Sequence, residues 1–121
     1  MKNKLKKLLL LPVLLLTLTA GCRNAVEHYE NDPAFFPAYS MKGDIYQRQG
    51  NYLESSKAYE RAVEYNPFSF KNFYNLGKVN YAMQRYEYAV NAFVRALELN
   101  PEDYSANFYT AKSYYNLESY D

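Results

Sequence analysis

Apolar and polar residues follow two different patterns along the 121-residue chain. Residues 8–22 contain no charged side chain, whereas the later sequence places apolar or small residues three or four positions apart. Within residues 52–65 these positions are Tyr52, Ser55, Tyr59, Ala62 and Val63. Because a helix turns once in about 3.6 residues, this spacing predicts an amphipathic helix. A similar stripe through Tyr39, Ile45 and Tyr46 predicts a preceding helix over residues 39–49.

Residues that end or begin helices separate these segments. Gly50 lies between the first two predicted helices, and glycine accepts the left-handed conformation that ends many helices. Asn66 and Asn100 each precede a proline, which disfavours helical geometry in the residue before it. Ser69 and Asp103 follow shortly and are residue types that commonly cap the start of a helix. The chain is therefore predicted to form pairs of helices joined by short turns.

The helix pairs repeat at one constant interval, called the repeat period below. The segments AYERAVEYNP at 58–67 and AFVRALELNP at 92–101 are copies of one unit. The same interval relates Pro33, Pro67 and Pro101, Tyr52, Tyr86 and Tyr120, and the small residues Gly43, Gly77 and Ala111. Short side chains let two paired helices approach closely, with aromatic rings filling the spaces around them. We expect most of the tyrosines to lie in this core.

The repeated unit resembles the tetratricopeptide repeat (TPR), a helix-turn-helix motif whose length of about 34 residues equals this period. The first unit matches the family pattern at Tyr39, Gly43, Tyr46, Ser55, Tyr59, Ala62 and Pro67. The second matches it at Phe73, Leu76, Gly77, Ala89, Phe93, Ala96 and Pro101. The resemblance implies an all-α fold, a right-handed superhelix of antiparallel TPR units over residues 25–121. It would contain two full repeats, 36–69 and 70–103, and partial repeats at 25–35 and 104–121.

The first 22 residues combine the features of a bacterial export signal. Four lysines precede an apolar run that is shorter than the ~20 helical residues needed to cross a bilayer. Pro12 disfavours the alternative interpretation, an uncleaved membrane helix. The segment Leu18-Thr19-Ala20-Gly21-Cys22 resembles the lipobox of bacterial lipoproteins, whose cysteine becomes the lipidated N-terminal residue. The resemblance implies a signal peptide at 1–21, lipidation of Cys22 and a lipid-anchor segment at 22–24.

The residue inventory argues against nucleic-acid binding and catalysis. Four of the 14 basic residues precede the predicted cleavage site, which leaves 10 basic against 13 acidic residues and no basic cluster for nucleic acid. Cys22 is the only cysteine and His28 the only histidine, too few for a disulfide, a usual zinc site or a histidine-activated nucleophile. We therefore predict no enzymatic activity, no catalytic residues, no metal and no cofactor.

Lysine and tyrosine share the surface on which the resemblance implies that a partner binds. In the TPR family, the first helices of the units line a concave groove that holds peptides or partner helices. The corresponding residues are Lys71, Tyr74, Lys78, Tyr81, Phe108, Lys112 and Tyr115. The alternative is an exposed amphipathic face without a partner. Some TPR proteins bind C-terminal carboxylates of chaperones through Lys, Asn and Arg, and only Asn75 matches that set among Ser40, Asp44, Asn75, Ser105 and Tyr109.

These features together predict a non-enzymatic, lipid-anchored TPR scaffold or adaptor that mediates protein–protein interaction at the bacterial cell envelope. Its membrane attachment would be the lipid on Cys22, and its partner a protein or peptide segment, in the assembly of an envelope complex. The expected location is the periplasmic face of the outer membrane or the outer face of the cytoplasmic membrane. Two alternatives stay open: an N-terminal fragment of a longer TPR protein or of an enzyme, and repeats that mainly mediate self-association.

Overall fold

The computed structural model describes residues 36–120, which form five α-helices and no strand. The helices are α1 (Phe36–Arg48), α2 (Tyr52–Tyr65), α3 (Phe70–Ala82), α4 (Tyr86–Leu99) and α5 (Tyr104–Tyr120). The all-α prediction is confirmed for this part of the chain. The predicted signal peptide, Cys22, His28 and the partial repeat at 25–35 lie outside the described residues. Helices α1, α3 and α5 begin one repeat period apart and are called the first helices below; α2 and α4 are the second helices.

The predicted caps lie at the expected ends of the helices. The Ser69 side chain accepts a hydrogen bond from the backbone N–H of Asn72 at 3.3 Å, at the start of α3. Asp103 accepts one from the N–H of Ala106 at 2.8 Å, at the start of α5. Asn66 and Asn100 are the C-terminal caps of α2 and α4. These local residues therefore set the helix boundaries as predicted.

Both hairpin turns contain a residue in the left-handed conformation. Gly50 has φ of 73°, and the next residue donates its backbone N–H to the carbonyl of Tyr46 at 2.9 Å. Gln84 occupies the same place one repeat later, with φ of 60°, and is followed by a 2.9 Å bond to the carbonyl of Asn80. Glycine adopts this conformation without strain, whereas a residue with a Cβ does not. The second turn therefore retains the geometry of the first at a conformational cost.

The small residues of the first helices lie directly under aromatic rings of the second helices. A Cβ placed on Gly43 would approach the Tyr59 ring to 2.7 Å, and one on Gly77 would approach the Phe93 ring to 2.6 Å. Both rings are fully buried. Each hairpin is thus closed by one glycine and one ring, and the predicted reason for the small residues is confirmed.

The core continues from one hairpin into the next. Tyr59 of α2, Leu76 and Val79 of α3, and Ala92 of α4 form one buried cluster, against which Val63 packs. Burial of apolar surface between α2 and α3 therefore joins the two hairpins. Ile45, predicted on the packed stripe of α1, is instead 52% exposed. Its counterpart Val79 is fully buried because α2 precedes α3, whereas no described helix precedes α1.

The expectation that most tyrosines lie in the core is wrong for the described residues. Among the tyrosines whose side chains are described, Tyr59 alone is buried, and its hydroxyl donates to Asp44 at 2.5 Å. A buried phenol needs such an acceptor, and few positions supply one. The others are half-buried or exposed. Several of the half-buried rings pack against one another along the first helices.

Candidate protein-binding face

The first helices lie side by side and form one surface, called the first-helix face below. Ser40 of α1 donates a hydrogen bond to the side chain of Asn72 in α3 at 2.7 Å. Further along, α3 contacts α5. Neighbouring first helices thus present their side chains together, as the predicted groove requires.

Asp44 is the polar centre of the junction between α1 and α3. Its Oδ1 accepts hydrogen bonds from the Tyr59 hydroxyl at 2.5 Å and from Asn75 Nδ2 at 3.4 Å. Its Oδ2 pairs with Lys71 Nζ at 3.0 Å. Burial opposes ionisation of Asp44, but the bonds from Tyr59 and Lys71 outweigh it and lower its pKa. Burial, together with the bond to Asp44, raises the pKa of Tyr59.

Aromatic rings form a continuous cluster between α3, α4 and α5, with Tyr109 at its centre. The Tyr109 ring stacks on Phe93 at 5.8 Å and meets Tyr81 and Phe108 edge-on, each at 5.5 Å between centroids. Tyr74 lies 6.5 Å from Tyr109 and 5.9 Å from Phe93. These five residues are called the Tyr109 cluster. Such offset and edge contacts stabilise aromatic pairs by more than the burial of their surface alone, so we expect the rings of this cluster to be held in place.

Two lysines lie over rings of this cluster. Lys78 Nζ is 5.7 Å from the centre of the Tyr74 ring. Lys112 Nζ lies 5.6 Å from the Tyr81 ring and 5.7 Å from the Phe108 ring. An ammonium group above a ring face is attracted by the negative charge of that face. Both cations are therefore held on the first-helix face.

The structure brings together five of the seven predicted partner-binding residues: Tyr74, Lys78, Tyr81, Phe108 and Lys112. Lys71 lies on the same face but pairs with Asp44. Tyr115 is 72% exposed, one turn beyond Lys112 on α5.

Tyr109 was missed as a site residue because its counterparts one and two repeats earlier, Asn75 and Met41, are not aromatic. The sequence feature that could have identified Tyr109 is the adjacent aromatic pair Phe108-Tyr109, which lies one turn before Lys112. The Tyr81 hydroxyl also accepts a hydrogen bond from Asn116 at 3.1 Å, which fixes that ring against α5.

The region of residues 36–120 contains no group of three or more His, Cys, Asp or Glu residues placed to hold a metal ion. None of its helices combines the length and apolar character needed to cross a membrane. An open apolar depression of about 490 Å³ lies on α1, away from the Tyr109 cluster, and is lined by Ala38, Met41, Lys42, Ile45, Tyr46 and Gln49. The Tyr109 cluster with its two lysines is the candidate binding site within the described helices.

Comparisons with known proteins agree with this architecture. One family model, described as TPR repeat, matches residues 43–84, and another, described as tetratricopeptide repeat, matches residues 71–103. A comparison with curated protein sequences gives no significant match.

Solved structures of two proteins share the fold. A mutant of MamA is similar with a TM-score of 0.68 and 22% identity, over 83% of this chain and 76% of that one. The first TPR of Spaghetti (RPAP3), bound to an HSP90 peptide, is similar with a TM-score of 0.67 and 22% identity, over 77% of this chain and 76% of that one. These likenesses confirm the predicted all-α superhelix of helix-turn-helix units.

Proposed function

Over residues 43–103 this chain belongs to the tetratricopeptide repeat family, and from that premise we propose a lipid-anchored, non-enzymatic scaffold for protein–protein interaction. The partner would bind on the first-helix face. The observation that carries this proposal is the Tyr109 cluster, a fixed aromatic surface with two ammonium groups held above it. Aromatic residues are enriched at protein–protein contact sites because they bury large areas with few rotatable bonds.

A protein or peptide ligand fits this face better than a small substrate. The rings and lysines extend along α3 and α5 as an open surface, whereas sites for small molecules are usually concave pockets that enclose most of the ligand. The first TPR of Spaghetti is bound to an HSP90 peptide, so a similar fold accommodates a peptide. Binding of a partner's C-terminal carboxylate between α1 and α3 is a poor alternative, because the negative charge of Asp44 at that junction would repel it.

The proposed location is the bacterial cell envelope, with the lipid on Cys22 as the attachment. The lipobox-like segment supports this assignment, since its cysteine follows a positively charged start and a short apolar run. The protein would face the periplasm from the outer membrane or stand on the outer face of the cytoplasmic membrane. There it would act as an adaptor that holds a partner during assembly of an envelope complex.

Site-specific crosslinking in cells tests the proposed binding face. A photocrosslinking amino acid is placed at position 78 or 112 on the first helices, and at position 57 or 88 on the second helices as matched controls. All four native side chains have solvent access. We expect a defined protein adduct, identified by mass spectrometry, from positions 78 and 112 and not from 57 and 88. Equal adducts from both sets of positions would contradict the assignment of the face.

A further inference from the structure

Charge is divided unequally between the first and second helices. The first helices contain five basic residues, Lys42, Arg48, Lys71, Lys78 and Lys112, and two acidic residues, Asp44 and Glu118. The second helices contain three basic and five acidic residues. Residues 36–120 as a whole contain nine of each sign. The first helices therefore carry a net positive charge although this part of the chain is neutral.

Each basic residue of the second helices forms an ion pair with a glutamate of its own helix. Lys57 pairs with Glu54 at 2.8 Å, and Arg61 and Arg95 each pair with the glutamate three residues later. On the first helices, Lys71 pairs with Asp44. Lys78 and Lys112 take part in none of the four ion pairs formed among the described residues. Their positive charges are thus left without a carboxylate on the face that the proposed partner would use.

The rings under these two lysines fix the ammonium groups without neutralising them. Tyr74 holds Lys78, while Tyr81 and Phe108 hold Lys112 from two sides. A ring face provides attraction but no hydrogen-bond acceptor of carboxylate strength, so the N–H donors stay available to a ligand. A carboxylate that bound there would form a charge-assisted hydrogen bond with the ammonium group.

We infer that the first-helix face recognises an acidic segment of its protein partner, with side-chain carboxylates at Lys78 and Lys112 and an apolar side chain against the Tyr109 cluster. The inference rests on the proposed function and specifies the chemistry of the partner. Lys78 and Lys112 are one repeat period apart and hold the same position on neighbouring first helices. The carboxylates would therefore be spaced like the helices, at roughly 10 Å, which is about three residues of an extended chain.

Binding of designed peptides to the full-length protein in nonionic detergent tests this inference. The probe is a fluorescein-labelled peptide with a Glu at every third position and Leu at the positions between, with an amidated C-terminus, compared with the same peptide carrying Gln for Glu. The amide removes the terminal carboxylate, so any preference reports on the side chains. We expect the Glu peptide to bind about tenfold more tightly by fluorescence anisotropy, and this preference to weaken as salt is added.

The variants distinguish the effect of the two lysines from the effect of the overall charge of the protein. K78M/K112M keeps the length and apolar character of both side chains and should abolish the preference for Glu over Gln. K57M, on α2, removes one positive charge elsewhere and should keep the preference. Helical circular dichroism and the thermal midpoint of each variant verify that the fold is retained, and the single variants K78M and K112M replace the double variant if it is not.

Three results would overturn the inference: equal affinity for the Glu and Gln peptides, an undiminished preference in folded lysine variants, or tighter binding of a thymidine oligonucleotide than of the Glu peptide. Failure of the inference is distinguishable from failure of the proposed function. Crosslinking from positions 78 and 112 without a preference for Glu would retain the binding face and remove only the acidic class of partner. Absence of crosslinking from these positions would remove the face itself.

Discussion

The ring of Tyr59 lies so close to Gly43 that a single methyl group on the glycine would come within 2.7 Å of the ring. The ring is fully buried and its hydroxyl is hydrogen-bonded to Asp44, so it has little freedom to move away. Gly77 and Phe93 repeat the arrangement one unit later. Contact between a glycine and a ring is therefore what sets the spacing of both hairpins.

Gly43→Ala is expected to destabilise the protein, although alanine is the better helix former by about 1 kcal/mol. Overpacking against a buried ring costs about 1–3 kcal/mol, which exceeds that gain. Urea unfolding followed by circular dichroism measures the difference. Ala111, the exposed counterpart on α5, supplies the control, because there Ala→Gly should be destabilising. Equal or higher stability of Gly43→Ala would contradict the close packing.

Gln84→Gly is expected to stabilise the protein by about 1 kcal/mol, because Gln84 is held at a positive φ that glycine adopts without strain. The reciprocal change, Gly50→Gln, should destabilise by a similar amount. Space is not the cause there, since a Cβ on Gly50 would meet no atom within 4 Å. Thermal unfolding of both variants tests the pair, and changes of the same sign would show that the turn conformation is not decisive.

Ionisation of Asp44 is expected to make the stability of the folded protein depend on pH. Its pKa is lower in the folded protein than the ordinary value of 3.8, so its ionised form stabilises the fold above that pH. This contribution is lost as the pH falls through the folded pKa. The stability difference between wild type and Asp44→Asn should therefore be largest near neutral pH and shrink below about pH 4. Denaturation at a series of pH values measures the difference.

Tyr59→Phe provides the control for this network, because it removes one donor to Asp44 while keeping the ring. The Asp44 pKa should rise in that variant, as observed by carboxyl NMR titration. An Asp44 pKa that is unchanged without the hydroxyl would assign the effect to the positive charges of Lys71 and Arg48.

Tyr109→Ala is expected to destabilise the protein by about 2 kcal/mol, because its ring contacts Phe93, Tyr81 and Phe108 in the centre of the cluster. The figure is below that for a fully buried ring since Tyr109 is only half-buried. Tyr115→Ala, at an exposed position of the same helix, should change stability by less than about 0.5 kcal/mol. Chemical denaturation compares the two, and equal effects would argue against a central role for Tyr109.

Cys22→Ser is expected to release the protein from membranes, because serine provides no thiol for lipidation. Fractionation of cells into membrane and soluble parts measures the release. The helical circular dichroism of the variant should equal that of the wild type, since the substituted position lies outside the described helices. Continued membrane association after the change would exclude lipidation of Cys22 as the main anchor.

Periodicity and local chemistry were sufficient to predict most of the fold. The repeat period identifies Gly43 and Gly77 as points of close approach, and Ser69 and Asp103 act through bonds to residues only three positions away. Such features depend on short stretches of sequence. The prediction that Ile45 is packed was wrong, because burial at this position depends on whether another helix precedes α1.

The candidate site was less accessible to prediction because it depends on contacts between repeats. The repeat pattern identifies the face that carries Tyr74 and Lys78, but not which ring lies at its centre. Tyr109 takes that place through contacts with α3 and α4, although its counterparts in the earlier repeats are not aromatic. Lys71 and Asp44 are 27 residues apart, and no rule of spacing within one repeat predicts their ion pair.

Each described helix packs mainly against the helices that adjoin it in sequence, with smaller contacts between α1 and α3 and between α3 and α5. The entropic cost of forming native contacts is small in such a chain, because the loops that must close are short. Folding can begin at either hairpin and spread to the next through the buried cluster that joins Tyr59 of α2 to Leu76 and Val79 of α3. We therefore expect rapid refolding on the microsecond-to-millisecond scale typical of helical proteins with local contacts.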